Sequence, residues 1–217
     1  MLRNSRNRHV RAQCALALCA MLALSGCAAR YAQVPARLAL APYGRIALVT
    51  FSSSSEHANA ALGTLATQQF AEAVLASQTG IELLELSSVD SSLRHLPAGG
   101  DGTALAQAVG RDKQVPAVFV GQLTVSGVKP RGGGLSASSV HLQAGVTAEL
   151  TVRLVSTQSG GTMWRSSAAA NRTIGRVAIS DRLPSVAVRN PDEAYDAMVR
   201  DLVIDVTRDL RPTRVRQ

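Results

Sequence analysis

Aromatic residues make up only 3% of the 217-residue chain, too few for a surface that stacks nucleic-acid bases or sugar rings. Nucleic acid is therefore not an expected partner. Acidic residues are missing from the first 26 positions, which hold Arg3, Arg6, Arg8 and Arg11. Half of the formal net charge of +8 thus belongs to that stretch. Its apolar run, Cys14–Leu24, has eleven residues, well short of the roughly 20 that span a bilayer as a helix. Cysteine is scarce too. Cys14 and Cys19 lie within the run, so Cys27 alone remains if the leader is removed, and no internal disulfide can form. What is present is ordinary globular material, 46% hydrophobic and 18% charged, which excludes wholesale disorder. The roughly 190 residues after the leader suit one domain better than two.

A basic start, a short apolar core and a small-residue exit are the parts of an export signal. The exit is Leu24-Ser25-Gly26-Cys27, which resembles the lipobox of bacterial lipoproteins. Small residues let the backbone enter a signal peptidase cleft, and the cysteine sulfur receives a diacylglycerol. Residues 1–26 are read as the signal peptide and Cys27 as the lipidation site. Ala28 follows where inner-membrane lipoproteins tend to carry aspartate. The class therefore implies an anchor on the periplasmic side of the outer membrane, made stable by several acyl chains.

Residues 28–43, with Pro35 and Pro42 and no periodicity, read as a short tether behind the lipidated cysteine, and 44–217 as a periplasmic domain. Within it, Arg45–Phe51 is a buried strand by its apolar run. Ser52–Ser55 can cap a helix over about 56–77, with Leu62, Leu65, Ala66, Phe70, Ala73 and Val74 on one face. Ile81–Leu86 reads as a strand, Gly102–Val109 as a short helix, and Ala117–Val125 as another strand. Val140–Val155 alternates cleanly, placing Val146, Ala148, Leu150, Val152 and Leu154 on one face. Gln158–Gly161 turns the chain into a partner strand that holds Met163 and Trp164. The last helix has Asn190 as cap and Pro191 at its first position. Tyr195, Met198, Val199, Leu202, Val206 and Leu210 form its apolar face, leaving Asp196, Arg200 and Asp205 in water.

Chemistry is sought and not found. His57, His95 and His141 have no second ligand at metal spacing. Ser52–Ser55 near His57 lacks a Gly-x-Ser-x-Gly elbow. Gly99–Gly102 could cradle an anion but has no following Lys-Ser/Thr. The reading is a protein without catalytic residues and without a cofactor. The segment Lys129–Ser139, with Gly132–Gly134 at its centre, reads as a mobile loop, and mobile loops are where partners bind. Lys129 and Arg131 there, with Arg211, Arg214 and Arg216 in the basic C-terminal tail, are the candidate partner contacts. The tail fits anionic headgroups or an acidic partner.

Three stretches carry a family resemblance: Ile46–Phe51, Ala117–Leu123, and the hairpin Val152–Trp164, which turns at glycine and returns through tryptophan. They resemble the curli-secretion (CsgG-type) lipoproteins and the lipoprotein activators of penicillin-binding proteins. The resemblance implies an α/β three-layer sandwich, a mixed sheet with helices packed against it, and no catalytic residues. Two departures stand out. Lys129–Ser139 is too short and polar for the curli channels' membrane hairpins, whose strands need about 9–11 residues each. Residues 28–43 are too short for the activators' long tether. The expected function is a lipid-anchored, non-enzymatic envelope scaffold that binds another envelope protein or a second copy of itself. The alternative is a subunit of an oligomeric outer-membrane secretion channel. A hydrolase of envelope polymers would need two convergent carboxylates.

Overall fold

The computed structural model describes residues 31–54, 60–87, 102–126, 129–131, 135–136, 139–180, 183–188 and 191–216. Two compact units share them, 36–211 and a small unit formed by the two ends.

The small unit is a two-stranded antiparallel ribbon of β1 (Tyr31–Val34) and β11 (Thr213–Arg216). The segment read as a tether therefore has structure that its sequence does not advertise. Farther on, Ala41–Tyr43 forms a 3-10 turn just after Leu40, which is fully buried. Arg214 and Arg216, read as part of a basic tail, likewise lie on a strand. Each strand is only four residues long and finds its partner at the far end of the chain, beyond the reach of local pattern.

The main unit is built on β2 (Arg45–Val49), which runs parallel to β4 (Glu82–Leu86) on one side and β5 (Ala117–Val125) on the other. β5 pairs antiparallel with β8 (Ser139–Ser156), β8 with β9 (Thr162–Ser180), and β9 with β10 (Leu183–Val188). The order across the mixed sheet is β10-β9-β8-β5-β2-β4. Helix α1 (Ala60–Ser77) connects β2 to β4, and α2 (Gly102–Lys113) lies between β4 and β5. The first crossing steps outward and the second steps back across β2. Crossovers of one hand must then place the two helices on opposite faces. The core shows this: Ile46, Leu48, Phe119 and Leu123 pack with Phe70 and Val74 of α1, whereas Ala47, Val49, Val118 and Val120 pack with Ala106 and Val109 of α2. Strands buried on both faces read as continuous apolar runs, as β2 and the start of β5 do. Helix α3 (Pro191–Val206) lies on the α1 side, burying Met198, Val199, Leu202, Val203 and Val206. Asp196, Arg200 and Asp205 are exposed, as the spacing predicts. Leu210 is buried but belongs to a separate 3-10 turn, Arg208–Leu210. The expected three-layer α/β sandwich is the observed architecture.

Two expectations are corrected. Ser52–Ser54 is not a helix cap but a strand, β3, parallel to β5 with Ser52 opposite Gln122. β5 outruns β2, and its remaining backbone groups need a partner. The stretch Lys129–Ser139 is not a plain loop. Lys129–Arg131 (β6) and Leu135–Ser136 (β7) pair antiparallel with β8. β8 outruns β5 in turn, and these strands occupy the edge it would leave open.

Phe51, between β2 and β3, ties the layers together. Its N–H donates to Thr67 Oγ1 at 2.8 Å, and that hydroxyl donates to the Gly63 carbonyl at 2.7 Å. The Phe51 ring covers Gly121, where a Cβ would collide with it. From it an edge-to-face series continues through Phe70 (5.3 Å) and Phe119 (5.1 Å) to Trp164 (6.2 Å). Trp164 is half-buried against this core, and its Nε1 is buried with no hydrogen-bond partner. Replacing Trp164 with Ala should lower stability by about 3 kcal/mol, the low end for a large core residue. Trp164→Phe should cost under about 1 kcal/mol, because it also removes an unsatisfied donor. Chemical denaturation of the two variants checks the difference; equal losses would mean that the indole N–H has a partner.

Candidate functional site

Alternation assigns the outward face of the sheet. On the α1 and α3 side, β8 and β9 bury Val146, Ala148, Leu150, Val152 and Leu154 with Trp164, Ala168 and Ala170 packed beside them. On the opposite side, Thr147, Glu149, Arg165, Ser167, Ala169 and Asn171 are exposed. β5 adds exposed Gln122 and Thr124, and β3 adds exposed Ser52 and Ser54. Helix α2 packs over the other end of this face, against Val118, Val120 and Val155. A helix about 10 Å across covers about two strands spaced about 4.8 Å apart, which leaves the rest of this face open.

The register orders the open surface into rows. Ser54, Thr124, Glu149 and Ala169 lie side by side, then Ser52, Gln122, Thr151 and Ser167, then Val120, Arg153 and Arg165. The Ser54 and Thr124 hydroxyls are 3.3 Å apart, and the Ser52 hydroxyl donates to the Gly121 carbonyl at 3.4 Å. Short hydroxyl side chains on four neighbouring strands make a hydrogen-bonding platform. Arg153 and Arg165 are directly opposed, an arrangement that costs stability between like charges. Gly102, the first residue of α2, has no space for a Cβ because the Arg153 guanidinium and Val120 fill it. The Arg153 guanidinium thus meets a helix N-terminus at one border of the platform, with Arg165 opposite it on the neighbouring strand, and all three favour negative charge.

The Arg45–Glu82 pair, 2.8 Å apart at the start of β2 and β4, is a surface feature. The hydrogen bond from Arg45 holds the Glu82 carboxyl below its ordinary range. Among the described residues no group of three or more His, Cys, Asp and Glu could hold a metal ion.

The residues singled out from sequence fall in separate places. Cys27, His57, His95 and Gly99–Asp101 lie outside the described residues. Lys129 and Arg131 share β6 in the main sheet. Arg211 follows the last 3-10 turn and donates to Thr207 Oγ1 at 2.6 Å. Arg214 and Arg216 share β11 in the ribbon. The open sheet face was not singled out. Its signal was the polar half of the alternation in Val140–Val155, which names only the wet side of a strand until its neighbours are known.

No protein family and no curated protein matches the chain. Among solved structures, it is similar to a PelC dodecamer from Paraburkholderia phytofirmans at 17% identity and a TM-score of 0.40, over 87% of this chain and 99% of that one. Lipoprotein GNA1162 from Neisseria meningitidis is 18% identical with a TM-score of 0.40, over 60% of this chain and 83% of that one. The LpoB C-terminal domain from Escherichia coli is 15% identical with a TM-score of 0.37, over 58% and 82%.

Proposed function

We propose that the chain is a lipid-anchored envelope scaffold, without catalytic activity, held on the periplasmic side of the outer membrane. In this reading the open face of the sheet receives an acidic partner protein. The lipobox Leu24-Ser25-Gly26-Cys27 carries the anchoring half of the reading, since modification of the sulfur is what its spacing serves. The opposed Arg153 and Arg165 support the other half. A surface that holds two cations face to face is stabilised when a partner supplies carboxylates to both. The resemblance to the curli-secretion and synthase-activator lipoproteins agrees with a binding role. A secretion-channel subunit is the second reading, favoured by the same resemblance.

Two tests follow. Cys27→Ser should accumulate as an uncleaved precursor, whereas the wild type should be processed and should fractionate with membranes. Normal cleavage of the variant, or a wild type free of membrane, contradicts the anchor.

Arg165→Glu should stabilise the isolated protein by about 0.2–1 kcal/mol, because it turns a like-charge cross-strand pair into an opposite one. The same substitution should abolish the adduct formed in cells by a photo-crosslinking residue at Ser167. A crosslinker at exposed Glu72 on α1 serves as the control. An adduct that survives Arg165→Glu, or that forms equally from Glu72, places the partner elsewhere.

A further inference from the structure

The ribbon of β1 and β11 has a pattern of its own. Ala32 pairs with Val215, Gln33 with Arg214 and Val34 with Thr213. Paired residues share a face of a ribbon and successive residues alternate. One face therefore carries Ala32, Val34, Thr213 and Val215, the other Gln33 and Arg214. Val34 and Val215 are 42% and 51% exposed, among the largest exposures of large apolar side chains among the described residues. Gln33 and Arg214 are also exposed. The register puts Arg216 opposite Tyr31, only four positions after Cys27. No acidic residue lies between Arg211 and the end of the chain.

We propose that this ribbon is a second membrane-contact element, docking its valine face on an anionic lipid surface beside the acyl anchor. The proposal rests on lipidation of Cys27. Four residues reach at most about 14 Å, so acylation would hold Tyr31, and its partner Arg216, at headgroup depth. Docking then becomes an intramolecular step, and a surface too weak to bind from solution suffices. Two strands alone are only marginally stable in water, so an exposed valine face gains from an apolar support. Val34 and Val215 supply the contact with the acyl boundary, and the arginines of β11 supply charge complementary to lipid phosphates. Arg211 is engaged by Thr207, whereas Arg214 on β11 is exposed. A basic residue near an anionic surface adds a factor of about five to such an equilibrium.

The experiment uses the processed, acylated full-length protein in vesicles. After acylation of Cys27 no other cysteine remains in the mature chain, so Val215→Cys accepts a single fluorophore. A quencher is attached to lipid headgroups. In vesicles containing phosphatidylglycerol the fluorophore should be quenched, and added salt should release it. Arg214→Gln with Arg216→Gln should shift the docking equilibrium about 25-fold toward the undocked state, while Arg214→Lys with Arg216→Lys retains the quench. Val34→Cys provides a second label site should the first disturb the strand. Floating vesicles with no quench at either label overturn the ribbon proposal and leave the anchor standing. Protein that fails to float with the vesicles overturns the anchor, and the proposal with it. Excimer emission between pyrene labels on two molecules would show that the valine face meets a second copy, which also overturns the proposal.

Discussion

A single buried amide, that of Gln78, closes the main unit. Its Oε1 accepts from the Leu40 N–H at 3.0 Å, and its Nε2 donates to the carbonyls of Leu38 at 3.0 Å and Leu210 at 2.6 Å. The Leu38 N–H adds a direct bond to the Asp209 carbonyl at 3.1 Å. One side chain at the end of α1 therefore satisfies backbone groups from both ends of the unit. Leu40 and Leu210 can be fully buried only because these neighbouring polar groups have partners. Without the amide, a buried donor and two carbonyls would each lose a bond, and leaving such groups unmade costs more than making them contributes.

The scarcity of aromatic residues takes on a structural meaning here. All three phenylalanines and the one tryptophan belong to the edge-to-face series that runs from the β2–β3 junction into β9. They are spent on packing the layer between the sheet and α1, and none is left to line a recognition surface. Among the described residues, the open face of the sheet carries hydroxyl, amide and guanidinium groups with the one carboxylate of Glu149. The proposed partner would therefore be recognised through hydrogen bonds and charge.

Much of this architecture was legible because burial leaves periodic traces. The alternation in Val140–Val155 gave β8, the apolar run at Ala117–Val125 gave β5 to the residue, and Pro191 marked the start of α3. The parts that were not legible are those specified by distant neighbours. Three serines in β3 carry no strand signal and pair only because β5 extends past β2. β6 and β7 are short and flank glycines, and their pairing answers an open edge of β8. β1 and β11 specify each other from opposite ends of the chain. Gln78 reads in sequence as a polar residue at a helix end, where solvent is the ordinary surrounding. The stretch Leu24-Ser25-Gly26-Cys27, which resembles a lipobox, is different in kind, since the meaning proposed for it lies in processing chemistry and not in the fold.

The proposed binding face on the sheet depends on a unit whose two ends are fixed together. Backbone hydrogen exchange at Leu40 measures that constraint most directly. In the full-length protein the Leu40 amide should exchange only through global unfolding, as slowly as the amides of β5. Gln78→Ala should bring its protection down by several orders of magnitude below that of β5, while β5 itself stays the slowest to exchange. A Leu40 amide that exchanges rapidly in the wild type, or one that Gln78→Ala leaves untouched, would contradict the claim that this amide closes the domain.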